Sequence, residues 1–448
     1  MKKKYLYILW ISILVASVGF VIIKFKRDDA AKEAAGYPLL PRKNELQNNG
    51  EWVFAKNNID KLMAKIKANK EDTKSMIALA NAYIGESRIS GNTGYYDKAA
   101  MHMVSKVLAL DANNFEALTL KSLLFLSQHH FSEGLSTAEA AQKVSPENSF
   151  LYGLLVDGNV EMGNYPQALD AADKMVSLRP DLRSYSRIAY LREIHGDYPG
   201  AAEAMQRAVT AGAPGQESTE WCRVQLGRLY ENMGQTDKAL FQYQLSLAAR
   251  PNFAYALAGL GRLAVFEKKY DSAIIFYRQA DSLINDYGIR ENLALLYRHV
   301  GKKTESDTLY NNLIKEMSNN AKIENSDAGI GHYADREMAY VYLHTDNFDK
   351  ALEHATAEYK RRPKNIDVNE TMAWVYYKMG DYAKAQTYID AAFITNTQNP
   401  VLLCTAGLIF AKAGNKEKGK TLLKAGLKNN PVMPEDIRNE SDHELQQL

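Results

Sequence analysis

Residues 221–251 read WCRVQLGRLYENMGQTDKALFQYQLSLAARP, and the order of residue types in this stretch decides the fold. Leu226 and Tyr230 stand four apart, the spacing that places two side chains on one face of a helix. Gly234 breaks that pattern, a second helical pattern carries Ala239 and Tyr243, and Pro251 ends it because it has no N–H to continue the hydrogen bonding. The stretch is two helices joined by a tight turn. Outward from it, a small residue recurs at the place of Ala239: Ala100, Gly134, Ala168, Ala201, Ala239, Ala273, Ser306, Ala351, Ala385 and Gly419. The steps are 33 or 34 residues, except for one of 38 and one of 45. A unit of this size cannot bury its own apolar face, so repetition at this period signals a solenoid. The small side chain lets the second helix approach the first, and Leu226, Tyr230 and Tyr243 fill the space between neighbours.

Other units repeat the pattern. Leu260-Gly261, Tyr270, Ala273, Tyr277 and Ala280 follow in the next, and Met372-Ala373, Tyr376, Gly380, Tyr382, Ala385 and Ala392 come later. Ala406-Gly407, Phe410, Gly414 and Pro431 close the series. On these residues the chain resembles the tetratricopeptide family. The resemblance implies an all-α fold, a right-handed superhelical solenoid of about ten helix-turn-helix units over residues 73–436. Gly163-Asn164-Tyr165, Gly196-Asp197-Tyr198 and Gly380-Asp381-Tyr382 supply the turns, and Pro146, Pro180, Pro251, Pro363 and Pro431 end second helices. Most of the 27 tyrosines are then core. Three departures, Gly85–Gly94, Gly212–Gly215 and Ser318 to Gly331, read as loop insertions.

The N-terminus is different in kind. Residues 1–4 form a basic flank, and residues 5–23, YLYILWISILVASVGFVII, carry no charge. A helix of that length approaches the roughly 30 Å of a bilayer core. It is expected to be an uncleaved signal anchor, because its apolar run exceeds the usual signal-peptide length. Lys2, Lys3 and Lys4 favour the N-terminus inside, which puts the array on the periplasmic side of a bacterial inner membrane. Secretion after cleavage is the alternative. Residues 24–50 read as a polar linker, 51–72 as a capping helix and 437–448 as a polar tail.

Chemistry-bearing motifs are weak. Gly414 to Thr421 matches the phosphate-loop string, but a helix precedes it where that loop needs a strand. Gly259-Leu-Gly261-Arg-Leu-Ala264 mimics a dinucleotide fingerprint but sits inside a helix, so the same objection applies. The nine histidines show no zinc-ligand spacing, and His129-His130 occupies one turn. Cys222 and Cys404 read as small apolar positions. A net charge of +2 gives no reason to expect nucleic acid. No cofactor, metal or catalytic residue is expected.

The family resemblance implies a concave groove, lined by the first helix of each unit, that holds a protein or peptide client. Carried over to positions outside the repeat's core, the groove residues are Arg183, Tyr190, Trp221, Arg228, Tyr255, Arg262, Arg298, Arg336, Tyr340, Trp374 and Tyr377. Arginine's planar fork suits carboxylates, so the expected client is acidic and extended, with Trp374, Tyr340 and Tyr377 adding apolar contacts. The family's two-carboxylate clamp does not carry over, because Leu120 and Phe150 stand where polar donors belong. A four-cysteine metal tail is absent from Asn439–Leu448. The expected function is a non-enzymatic, membrane-tethered scaffold, and the alternative is a carbohydrate-binding envelope protein that uses the groove aromatics.

Overall fold

A computed structural model describes residues 36–47, 49–324, 331–429 and 433–448, with Trp10 and Ser17 as isolated positions. Its described residues hold helices and no strand. Helix α1 (Gly50–Ala68) precedes ten antiparallel pairs. The first five are α2 and α3 (Thr73–Ser90, Thr93–Leu110), α4 and α5 (Phe115–Ser127, Phe131–Val144), α6 and α7 (Ser149–Glu161, Tyr165–Leu178), α8 and α9 (Leu182–Ile194, Tyr198–Ala211), and α10 and α11 (Glu217–Asn232, Thr236–Ala249). They continue with α12 and α13 (Ala254–Phe266, Tyr270–Leu283), α14 and α15 (Tyr287–His299, Lys303–Glu324), and α16 and α17 (Asp335–His344, Phe348–Arg361). The last two are α18 and α19 (Ile366–Lys378, Tyr382–Ala392) and α20 and α21 (Pro400–Lys412, Lys416–Asn429), after which α22 (Glu435–Gln447) closes the chain.

Each small residue of the 34-residue series is buried where the second helix crosses the first. A Cβ on Gly134 would meet Leu126 Cδ2 at 2.7 Å, and one on Gly419 would meet Ala411 Cβ at 2.9 Å. Anything larger would force the pair apart. Each pair turns through one residue of positive φ: Gly91, His129, Gly163, Gly196, Gly234, Lys268, Gly301, Asp346, Gly380 and Gly414. Seven of these are glycine, the residue that takes this conformation without steric penalty.

Successive turns of the superhelix touch. The amide of Asn285 donates to Ser90 O at 3.2 Å, and Asn285 Nδ2 to Asn92 Oδ1 at 2.6 Å. The Tyr333 amide donates to Gln128 O at 3.1 Å. The Ile366 amide donates to Tyr165 OH, 201 residues away, and Asn365 Nδ2 reaches Val160 O, 205 residues away. A Cβ on Gly196 would meet Asn396 O at 2.9 Å. Four consecutive within-pair turns thus sit against four consecutive between-pair junctions, each following the fifth pair along. The groove is walled by its own next turn and becomes a channel.

The anchor expected at 5–23 lies, apart from Trp10 and Ser17, outside the described residues, and no helix among those described is long and apolar enough to cross a membrane. Other expectations need correction. The described part of the linker is not a free tether. Residues 36–47 lie along the first pair: Tyr83 OH donates to Tyr37 O at 2.6 Å, and Leu40 N–H to Tyr96 OH at 2.9 Å. Arg42, only 3% exposed, pairs with Glu86 at 2.6 Å and Glu51 at 2.7 Å. Asn44 Nδ2 then reaches Ser282 O on α13, so the segment straps the first pair to the sixth. The Gly85–Gly94 and Ser318–Asn319 departures are extra helical turns of α2 and α15 rather than loops, since those helices run on to Ser90 and Glu324. The polar tail expected over 437–448 is helix α22, held by contacts its charged sequence does not advertise.

Candidate binding channel

The first helix of each pair faces the channel, and its expected arginines are already partnered. Arg262 pairs with Glu231 at 3.0 Å and donates to Tyr243 OH at 3.1 Å. Arg336 Nε donates to Thr371 Oγ1 at 3.2 Å, lies 5.6 Å from the Tyr340 ring centre, and feels Asp367 and Glu370. Arg298 contacts His344 O and lies 3.6 Å from Asp307. Arg228 acts on Glu193, and Arg183 stacks over Phe150 at 5.1 Å. Carboxylates of the chain itself thus meet Arg262, Arg298 and Arg336 and lie near Arg228, while Arg183 rests on an aromatic ring, so the series is not a wall of unpartnered arginines.

Those carboxylates are the residues sequence reasoning missed. Glu161, Glu193 and Glu231 recur in the last turn of first helices, a signal visible in the repeat alignment. Burial in the channel pushes Glu161 up to about 7 despite Arg362 beside it. It does the same to Glu291, helped by Glu337, and to Glu370, opposed by Arg336. Tyr190 remains 38% exposed to water, yet desolvation by the surrounding walls raises its phenol well above the ordinary value. Trp221 and Tyr255 pack half-buried against the cores of adjoining pairs.

At the C-terminal end the channel is covered. Trp374 and Tyr377, expected as exposed contact residues, are 5% and 6% exposed. Their rings stack at 4.9 Å, and Lys378 Nζ lies 4.5 Å over Trp374. The cover is α22. Tyr377 OH donates to Glu440 at 2.7 Å, Lys378 pairs with Glu440 at 2.8 Å, and Lys412 pairs with Glu444. At its start, Glu435 accepts from Tyr270 OH at 3.0 Å and lies 2.7 Å from His299 Nε2. Beneath its N-terminal end a cleft of about 480 Å³ gathers Arg262, Arg298 and Trp374 with His344 and Asp436. At 5% exposure, stacked on Tyr377 and under Lys378, Trp374 offers little ring face for sugar stacking.

The remaining motifs behave as repeat structure. Gly414 and Gly419 belong to the α20–α21 turn and crossing, and Gly259 and Gly261 admit the Tyr243 and Tyr277 rings. Cys222 and Cys404 are free and buried, which pushes their thiols up to about 12 and about 11, so both stay protonated. One cluster had no counterpart in the sequence. Nitrogens of His129 and His332 and a carboxylate oxygen of Glu337 lie within 4.8 Å of one another. His130 sits beside them with Nε2 2.6 Å from Gly331 O. Adjacent turn residues gave no hint of this, because the partner segment lies about two hundred residues on; His129 Nδ1 bonds Tyr333 O across 204 residues.

Residues 154–217 and 224–286 match one tetratricopeptide repeat family, and residues 366–393 match a second. No curated protein matches the chain. Among solved structures, a thermophilic tetratricopeptide protein of Thermus thermophilus is 18% identical with a TM-score of 0.37, over 45% of this chain and 99% of that one. A tetratricopeptide protein of Parabacteroides merdae is 16% identical with a TM-score of 0.42, over 53% and 90%. The human IFIT1 dimer with PPP-AAAA is 14% identical with a TM-score of 0.45, over 83% and 90%. The matched segments are tetratricopeptide repeats, and the ten-pair array that contains them is an all-α solenoid of that kind.

Proposed function

We propose that this chain is a membrane-tethered scaffold that holds an acidic helical segment of a partner protein at the C-terminal end of its channel. Tetratricopeptide arrays commonly mediate protein–protein interaction, and the observation that carries the finer reading is α22. Glu435, Glu440 and Glu444 of that helix engage Tyr270, His299, Tyr377, Lys378 and Lys412, so the surface recognises an acidic helix in cis. These are amphipathic contacts of the helix-in-groove type, with aromatic anchors beneath charged pairs. The extended acidic client drawn from the arginine series gives way to a helical one, because the middle arginines are neutralised by their own neighbours. The tether is supported by the uncharged run at 5–23 and its basic flanks, with the array proposed on the periplasmic side of a bacterial inner membrane. Anchoring raises the local concentration of a client near the membrane.

The binding test uses a fluorescent peptide of residues 433–448 and the full chain carrying Glu440→Lys and Glu444→Lys. Those charge reversals should release α22 and let the peptide bind in trans, whereas the unaltered chain should bind it at least about tenfold more weakly. Equal binding by the two chains defeats the reading. Alkaline extraction and protease protection of membranes that carry the full chain decide the tether and its side.

A further inference from the structure

The geometry points to a divalent transition-metal site, of zinc type, at His129, His332 and Glu337, where it clasps two successive turns of the superhelix. The three side chains come from the α4–α5 turn, the α15–α16 junction and the first turn of α16. Their candidate ligand atoms all lie within 4.8 Å of one another. Tetrahedral zinc with ligands at about 2.0–2.2 Å needs neighbouring ligand atoms roughly 3.3 Å apart, a closure that small side-chain rotations supply. Two imidazoles and one carboxylate form a donor set suited to a borderline ion, with a fourth position left for water.

Four observations argue against an ordinary buried histidine cluster. First, Glu337 Oε2 is buried and has no hydrogen-bond partner, although Glu337 Oε1 lies 3.9 Å from His129 Nδ1. A buried carboxylate oxygen left unpaired is destabilising unless something positive meets it. Second, the rings are positioned from outside: His129 Nδ1 lies 2.9 Å from Tyr333 O, and His332 bonds the backbone of Ser127. Carbonyl contacts of this kind orient ligating histidines and select their tautomer. Third, the His129 and His332 rings come from two different turns of the superhelix, yet their centroids lie 4.2 Å apart at an interplanar angle of 47°, close enough for both to reach one ion. Fourth, His129 occupies the positive-φ place that glycine takes in seven of the ten turns, at φ 62°. Of the cations nearby, Arg361, over the Tyr333 ring at 4.4 Å, is paired with Asp335 and Glu358, and Arg336, which feels Glu337, is shared with Asp367 and Glu370.

The test titrates the purified full chain with Zn2+ and, for spectroscopy, Co2+. Expected are saturable one-to-one binding, visible Co2+ absorption of a low-coordinate site, and a rise in thermal midpoint reversed by chelator. His129→Asn, which suits the turn conformation, and Glu337→Gln should each weaken binding by about 100-fold, the upper end of what loss even of an outer-shell partner brings. Carbethoxylation of the unaltered chain gives a readout that needs no variant: Zn2+ should protect His129 and His332 and leave His443 reactive. Absence of one-to-one binding overturns the site. So does unchanged affinity in both variants, or protection that falls on other histidines.

Discussion

Two contacts between superhelical turns do the same topological work with opposite chemistry. At the first, Asn365 Nδ2 donates to Val160 O and Glu161 O, the Ile366 amide donates to Tyr165 OH, and Arg362 joins Glu161 to Glu358. The chain satisfies this contact by itself. At the second, Gln128 to His130 meets Gly331 to Tyr333 through three histidines, and nearby Glu337 keeps a buried oxygen without a hydrogen bond. A contact complete in its own hydrogen bonds is structural; one that gathers ligand atoms around a carboxylate with one buried oxygen unsatisfied suits an added ion.

The most severe way to break the comparison is Arg362→Ala. Arg362 is buried between Glu161 and Glu358 and over the Phe131 ring at 4.3 Å. Its loss removes the ion pair of the partly exposed Glu161 and leaves Glu358 with Arg361 alone, a change worth about 3 kcal/mol, the low end for breaking a buried pair. Hydrogen exchange should show residues 160–166 and 362–368 opening together; unchanged protection there would mean that the contact does not hold the turns. A smaller effect separates backbone strain from contact. Gly163 and Gly380 share positive φ, but a Cβ on Gly163 would meet Lys364 C at 2.5 Å, whereas one on Gly380 meets nothing within 4 Å. Gly380→Ala should cost about 1 kcal/mol, the penalty of the conformation alone, and Gly163→Ala at least twice that in chemical denaturation. Equal costs would place both turns in open solvent.

Protonation sharpens the picture of the satisfied contact and its channel. Glu161 and Glu370 titrate at about 7 in the fold, against an ordinary 4.5. Between those values the folded chain binds more protons than the unfolded one. Their stabilising contribution is therefore complete below about 4.5 and is lost as pH rises through 7. Glu370→Gln should stabilise by about 1 kcal/mol at pH ~8 and by less at pH ~5, read from denaturation midpoints. A gain that does not depend on pH contradicts the assignment. The mildest change is expected at the second contact without metal. His129→Asn should alter stability there by less than about 1 kcal/mol, since asparagine tolerates the left-handed conformation. A large loss would show the histidine to be structural.

Much of the fold was legible because the repeat writes it ten times. The Ala239 series, the glycine turns and the terminating prolines each follow from local sterics, so one unit predicts the others. The candidate channel was legible only in part. Arg262 and Arg336 stand on first helices, but Glu231 and Asp367 on neighbouring first helices already partner them. Trp374 and Tyr377 lie under α22, whose run of charges reads as a solvated tail until Lys378 and Lys412 are placed opposite it. His332 could not be joined to His129 from the sequence, because nothing local records a contact across two hundred residues.

What the sequence determined by itself is the helix pair and its repetition: side-chain size, helical period and turn residues act within about 34 positions. The pitch of the superhelix was decided only in three dimensions. Small rotations between pairs add up until the turn of one pair meets the junction that follows the fifth pair beyond it. That closure turned a groove into a channel, drew residues 36–47 onto the first and sixth pairs, and brought His129, His332 and Glu337 within reach of one ion.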